Sequence, residues 1–156
     1  MIAICQPATL ALAATAFFAQ EDKDSQPKSV ILMGGPINPN ATPTEITNFA
    51  NKVTLSNLEQ TVIQRVGFQY AGVGRQVYPG LLQLMSFMSM NAEKHAKSFS
   101  DQIAKVAHGT ASEHDKHNSF YYEYLAVIDM SADFYLSTVD RIFKNRDIAQ
   151  NKFTIM

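Results

Sequence analysis

The sequence predicts a mixed α/β fold, in which one parallel strand–helix–strand unit precedes a long, mainly helical region. Three observations carry this. Ile2-Ala3-Ile4 and Val30-Ile31-Leu32-Met33 are short apolar runs rich in β-branched residues, the pattern of strands buried in a parallel sheet. Between them, Ala8 to Gln20 is dominated by Ala and Leu, which favour helix. After Pro36 the apolar residues recur mostly at helical spacing, broken by glycine and proline.

Taken in order, Met1 to Ile4 reads as the end of a buried strand. Gln6-Pro7 permits a sharp turn, and Pro7 suits a first helical turn because its missing N–H is not needed there. Ala8 to Gln20 is then a buried helix, and Glu21 to Lys28 a polar loop. Ser29 to Met33 is a second buried strand, stopped by Gly34-Gly35-Pro36. Beyond it, Thr42 is a candidate N-cap with Glu45 as its capping-box partner. Leu55 to Val66 is a further helix, and glycine-rich Gly67 to Gly80 a loop. Leu81 to Met90 begins a helix that runs on to about Val106, and His108 to Ala111 interrupts it. Ser112 to Met130 and Ser131 to Phe143 close the series, the second capped by Ser131 with Asp133 in its first turn. The expected division is 1–37, an α/β core fragment, and 38–156, a helical region.

Composition narrows the function classes. The net charge is −1 with no basic stripe, so nucleic acid is not expected as a partner. A single cysteine, Cys5, excludes an internal disulfide framework and a cysteine-based zinc site. The apolar stretch Ala8 to Ala19 falls short of the roughly 18 to 20 residues that span a membrane. It ends in small residues as a secretory signal does, but no Lys or Arg precedes it. No cofactor motif is present, and none is expected.

A strand entering a helix through Ala3-Ile4-Cys5-Gln6-Pro7 has the layout of a nucleophile elbow, usually Gly-x-Ser-x-Gly. Ala3 and Pro7 stand where that motif has glycines. Cys5 would sit at a helix N-terminus, where the dipole favours a thiolate, and the backbone N–H of Gln6 would be one oxyanion donor. By itself the motif leaves open a structural, buried cysteine.

The run Ile4-Cys5-Gln6-Pro7, followed by Val30-Ile31-Leu32-Met33-Gly34-Gly35-Pro36-Ile37, resembles the intracellular poly(3-hydroxybutyrate) depolymerases. So do Val77-Tyr78-Pro79-Gly80, Leu82-Gln83-Leu84 and Phe87-Met88-Ser89-Met90-Asn91. Phe120-Tyr121, Glu123-Tyr124-Leu125-Ala126-Val127, Asp133-Phe134-Tyr135-Leu136 and Thr138-Val139 continue the pattern in order. The resemblance implies a fragment of an α/β-hydrolase followed by a mainly helical cap, with Cys5 as nucleophile. It also implies attack on a polyester carbonyl, a cytoplasmic location and the polymer or its granule as partner. In that family the acid and histidine follow the nucleophile in chain order and fall beyond Met156, so the chain is expected to be truncated and inactive alone. Complementary fragments of the same enzyme are a further expected partner. The rival reading is a non-catalytic helical fragment, or a partner-binding module from a split or decayed gene.

Other side chains have plainer readings. Leu81, Leu84, Met85 and Met88 share one helical face, which either packs in a core or lines the polymer's route to Cys5. His114 and His117, three apart, could bind a metal, but no further ligand cluster supports them. None of the four histidines is taken as a triad base. Asp129, Asp133 and Asp140 are spaced for capping and solvation, and Tyr121, Tyr122 and Tyr124 for packing and hydrogen bonding.

Overall fold

The computed structural model describes residues 1–154. It is a mixed α/β structure that divides into two compact units. One is residues 1–61 with residues from 133 onward, and the other is residues 62–132.

In the first unit, β1 (Ile2–Ile4) and β2 (Ile31–Met33) pair in parallel, with Ile2 opposite Ile31 and Ile4 opposite Met33. Between them runs α1 (Pro7–Glu21), with Pro7 in its first turn. This is the expected strand–helix–strand unit, and the polar connection holds a short 3₁₀ turn at Lys23–Ser25. The expected burial needs correcting. Ala3, Ala8 and Ala11 form the small core with Leu32 against it. Ile2 and Ile4, on the other face of β1, are 66% and 60% exposed, and Ile31 and Met33 beside them are exposed too. Alternation along a strand explains this: Ala3 points to α1 and its neighbours point away. Likewise α1 is buried only near its start, while Leu10 and Phe17 are exposed.

Two further helices follow, α2 (Glu45–Lys52) and α3 (Leu55–Thr61). The cap of α2 is Thr44 rather than Thr42, its hydroxyl accepting from the Thr47 N–H. The sequence offers two threonines ahead of Glu45, and the one adjacent to the first turn takes the role. Leu58 of α3 is the most deeply buried large side chain. The chain returns to this unit near its end, where a π-helical segment, Val139–Lys144, packs on α2. Lys144 Nζ donates to the carbonyls of Ala50 (3.0 Å) and Val53 (2.7 Å), satisfying the C-terminal end of α2.

The second unit contains strands that the sequence did not announce. β3 (Gln64–Arg65), β4 (Gln76–Tyr78) and β5 (Met130–Ser131) make an antiparallel sheet in the order β3-β4-β5. Leu55 to Val66 is therefore a helix that stops at Thr61 and gives way to a strand. The long helix expected from Leu81 is two, α4 (Gly80–Ser89) and α5 (Ala92–Ala107), parted at Met90-Asn91. Within Ser112 to Met130 only α6 (Lys116–Tyr124) is helical. Ser131 belongs to β5, and α7 (Ala132–Thr138) follows it, its residues from Asp133 in the first turn onward belonging to the first unit. No helix among the described residues is long and apolar enough to cross a membrane.

Candidate functional site

The candidate site is the turn between β1 and α1. Cys5 has φ 62°, in the left-handed region that costs a side-chain-bearing residue about 1–2 kcal/mol. The turn is held at several points. The Cys5 N–H donates to the Met33 carbonyl at 2.7 Å, extending the β1–β2 ladder by one residue. The Cys5 carbonyl then accepts from the Ala8 N–H at 3.0 Å, and the Gln6 carbonyl from Thr9. The chain is thus reversed within one residue, and the thiol-bearing side chain is exposed, not buried as a structural cysteine would be. Gln6 already has helical angles and Pro7 opens the helix without needing an acceptor.

Such a turn requires strand and helix to approach closely, and here that closeness comes from alanine and one unforeseen glycine. Ala3 and Ala8 are buried at the junction. A Cβ on Gly35 would collide with the Ala8 side chain and lie 2.9 Å from the Cys5 carbonyl. The exit from β2 therefore lies directly on the elbow, and only glycine allows it. The sequence marked Gly34-Gly35 merely as a strand stop. Pro7, which stands where the Gly-x-Ser-x-Gly pattern has its second glycine, is exposed.

Gln6 joins the elbow to the returning chain: its side-chain amide approaches the Thr138 hydroxyl at 3.5 Å, the outer limit of a hydrogen bond. Among the described backbone bonds none uses the Gln6 N–H as donor.

The remaining candidates belong to the second unit. Leu81, Leu84, Met85 and Met88 do share α4, but the core contacts of that helix are made by Gly80 and Gln83. Leu81 and Met85 are exposed, Leu84 and Met88 half-buried. Gln83 is buried because its amide donates to the carbonyls of Tyr78 and Ile128 at 3.0 and 3.1 Å. Asp129, read as a solvated residue, accepts from the Gly80 N–H at 2.8 Å and so caps α4 from forty-nine residues away.

His95 and His117 are engaged in the α5–α6 interface. His95 Nδ1 lies 2.6 Å from the Tyr121 hydroxyl and His117 Nδ1 lies 2.8 Å from the Ser98 hydroxyl. Tyr121 is buried among Phe99, His117 and Phe120. A cleft of about 530 Å³ opens beside these rings, bordered also by Tyr122 and Leu125. His114 precedes α6, so the pair with His117 is not presented by one helix face.

A family described as PHB de-polymerase C-terminus matches residues 34–156. No curated protein and no solved structure matches the chain.

Proposed function

We propose, because this chain belongs to the PHB de-polymerase C-terminus family, that it is part of a carboxylic-ester hydrolase of poly(3-hydroxybutyrate) with Cys5 as nucleophile. The elbow precedes the matched residues, so the role of Cys5 rests on its geometry. The observation that carries it is an exposed thiol on a left-handed residue between a parallel strand and a helix. Strain of this kind clusters at functional sites, and the layout is that of an α/β-hydrolase elbow. On this reading residues 1–37 are hydrolase core, 38–156 are cap, and Leu81, Leu84, Met85 and Met88 of α4, the first and third exposed and the others half-buried, contact the polymer.

In the reaction, the Cys5 thiolate adds to an ester carbonyl carbon. The carbon–sulfur bond forms and the carbonyl electron pair moves onto oxygen, where the Gln6 N–H stabilises it. Collapse of this adduct expels the alkoxide of the neighbouring 3-hydroxyacyl unit, which takes up from solvent the proton that the Cys5 thiol released. A water then cleaves the thioester, releasing the acid and restoring the thiol. That second step needs an activated water, and no described residue is assigned to supply it. A free, exposed thiol fits a reducing compartment such as the cytoplasm, and complementary fragments of the enzyme are the partners that would take part in this second step.

The test is acylation of the full chain by an activated 3-hydroxybutyrate ester, followed by mass analysis. One acyl group on Cys5, absent in Cys5→Ala, is expected, with no hydrolysis of polymer granules above that control. A chain that remains unlabelled, or is labelled equally in Cys5→Ala, would refute the nucleophile. A second reading, a non-catalytic partner-binding module, is favoured by one observation: Ile2, Ile4, Ile31 and Met33 leave an apolar sheet face exposed.

A further inference from the structure

The loop joining β3 to β4 displays apolar side chains that no internal packing accounts for. Phe68 is 92% exposed, Tyr70 65% and Val73 60%. Yet the loop is firmly built. The Val66 N–H donates to the Arg75 carbonyl (3.0 Å) and the Gly74 N–H to the Val66 carbonyl (2.9 Å). Two inner turns follow, Tyr70 N–H to Gly67 and Arg75 N–H to Gly72. The Arg65 guanidinium reaches across to the Gly74 carbonyl at 3.0 Å. Gly72 and Gly74 take the left-handed angles that the crossing requires. An ordered hairpin that holds a phenylalanine almost wholly in water has a surface partner as its simplest use.

The charge pattern narrows that partner. Between Glu59 and Glu93 the chain has no carboxylate and no lysine; Arg65 and Arg75 are its charged residues. The loop thus offers apolar rings together with hydrogen-bond donors, the Tyr70 hydroxyl and the Arg75 guanidinium among them, and no anionic group to repel an electron-rich surface. A polyester presents methyl and methylene groups with ester oxygens that only accept hydrogen bonds, so both halves of its chemistry are met. A folded protein or another copy of the chain would present donors as well, and this loop has few acceptor side chains to answer them.

We infer that this hairpin loop, residues 66–75, is a docking element that holds the chain on the surface of solid polyester through Phe68, Tyr70 and Val73. The inference rests on the polyester-hydrolase reading for its choice of surface but not on the chemistry of Cys5.

Co-sedimentation of the full chain with amorphous poly(3-hydroxybutyrate) particles tests it. Phe68→Ser with Tyr70→Ser should lower the apparent affinity about tenfold, the loss expected when two partly inserted rings are removed. Ile103→Ser with Val106→Ser, another exposed pair, on α5 of the same unit, should leave it unchanged. Both pairs are exposed, and circular dichroism of each variant shows that the fold is retained. Equal loss in the α5 variant, or no loss in the hairpin variant, would overturn the inference. So would equal binding to polystyrene, which lacks acceptor oxygens, or preferential binding to phosphatidylcholine–phosphatidylglycerol vesicles. Failure of Cys5 acylation with hairpin-dependent sedimentation intact would sink the catalytic reading alone. Acylation by the soluble ester without sedimentation would sink the docking element alone.

Discussion

The elbow and the α5–α6 pair are both held by close contacts, and they make those contacts by opposite means. At the elbow, Ala3, Ala8 and Gly35 bring backbone against backbone, and the strain is carried by Cys5. Between α5 and α6 the space is filled by rings, with Tyr121 at the centre and hydroxyl–imidazole bonds at its margin. The first arrangement depends on side chains being absent, the second on their being large. The same kind of substitution should therefore act with opposite sign in the two places, and that expectation can be tested.

The largest effect is expected from Tyr121→Ala, which removes the buried ring and the partner of His95. A cost of about 3–5 kcal/mol is typical of such a truncation, and chemical denaturation followed through the second unit would measure it. Tyr121→Phe keeps the ring and loses one hydrogen bond, so about 1 kcal/mol is expected. If the two variants behaved alike, the hydroxyl rather than the packing would be holding α5 to α6.

Next comes Gly35→Ala. The new methyl has the Ala8 side chain and the Cys5 carbonyl in its way, and overpacking of this sort costs about 1–3 kcal/mol. It should also change the alkylation rate of Cys5, because the turn must shift to make room. An unchanged rate with lowered stability would mean that β2, not the elbow, gives way.

Much of this contrast could be read in the sequence, but unevenly. β1, α1 and β2 were legible because each is a local pattern: a β-branched run, an alanine-rich stretch, a proline at the first turn. The break after Ala107 was legible for the same reason. The β3-β4-β5 sheet was not, because β5 pairs with a strand some fifty residues earlier and is two residues long. The helix expected to run to Met130 stops at Tyr124, since Ile128 and Asp129 are drawn away to bond Gln83 and Gly80. At the elbow the sequence indicated Cys5 and the turn around it. It did not indicate that Gly35 is what lets the turn close, because that contact joins residues far apart in the chain. For α4, periodicity placed Leu81, Leu84, Met85 and Met88 on one helical face but could not tell which side faces water. Buried Gln83, polar by composition, is the residue that turns inward.

Cys5→Gly should act in the opposite direction to Tyr121→Ala. Glycine adopts a φ of 62° without the clash that Cβ suffers, and an exposed side chain loses little packing. A gain of about 1 kcal/mol is expected, offset in part by the greater freedom of glycine in the unfolded chain. Cys5→Ala, which keeps Cβ, should give no such gain. A loss of stability in Cys5→Gly would show that the thiol packs usefully and is not simply displayed.

The smallest effect concerns Asp115, which precedes α6 and ties it to α5. Its carboxylate accepts from the Ser112 N–H and pairs with Lys105 at 3.2 Å. The Ser112 bond first, and Lys105 second, hold its pKa below the ordinary 3.8. A carboxyl whose pKa is lower in the folded state stabilises that state fully above the unfolded value. The contribution is lost as pH falls through the folded value. The difference in stability between the protein and Asp115→Asn should thus be constant from neutral pH to about pH 5 and shrink below about pH 4. Because the N–H bond leads, added salt should weaken the difference only in part; Debye screening acts on the Lys105 pair, and Lys105→Gln should reproduce that part. Thermal melts of the three proteins across this range would measure it. A difference abolished by salt at neutral pH would make the ion pair with Lys105 the leading cause and the Ser112 bond the lesser one.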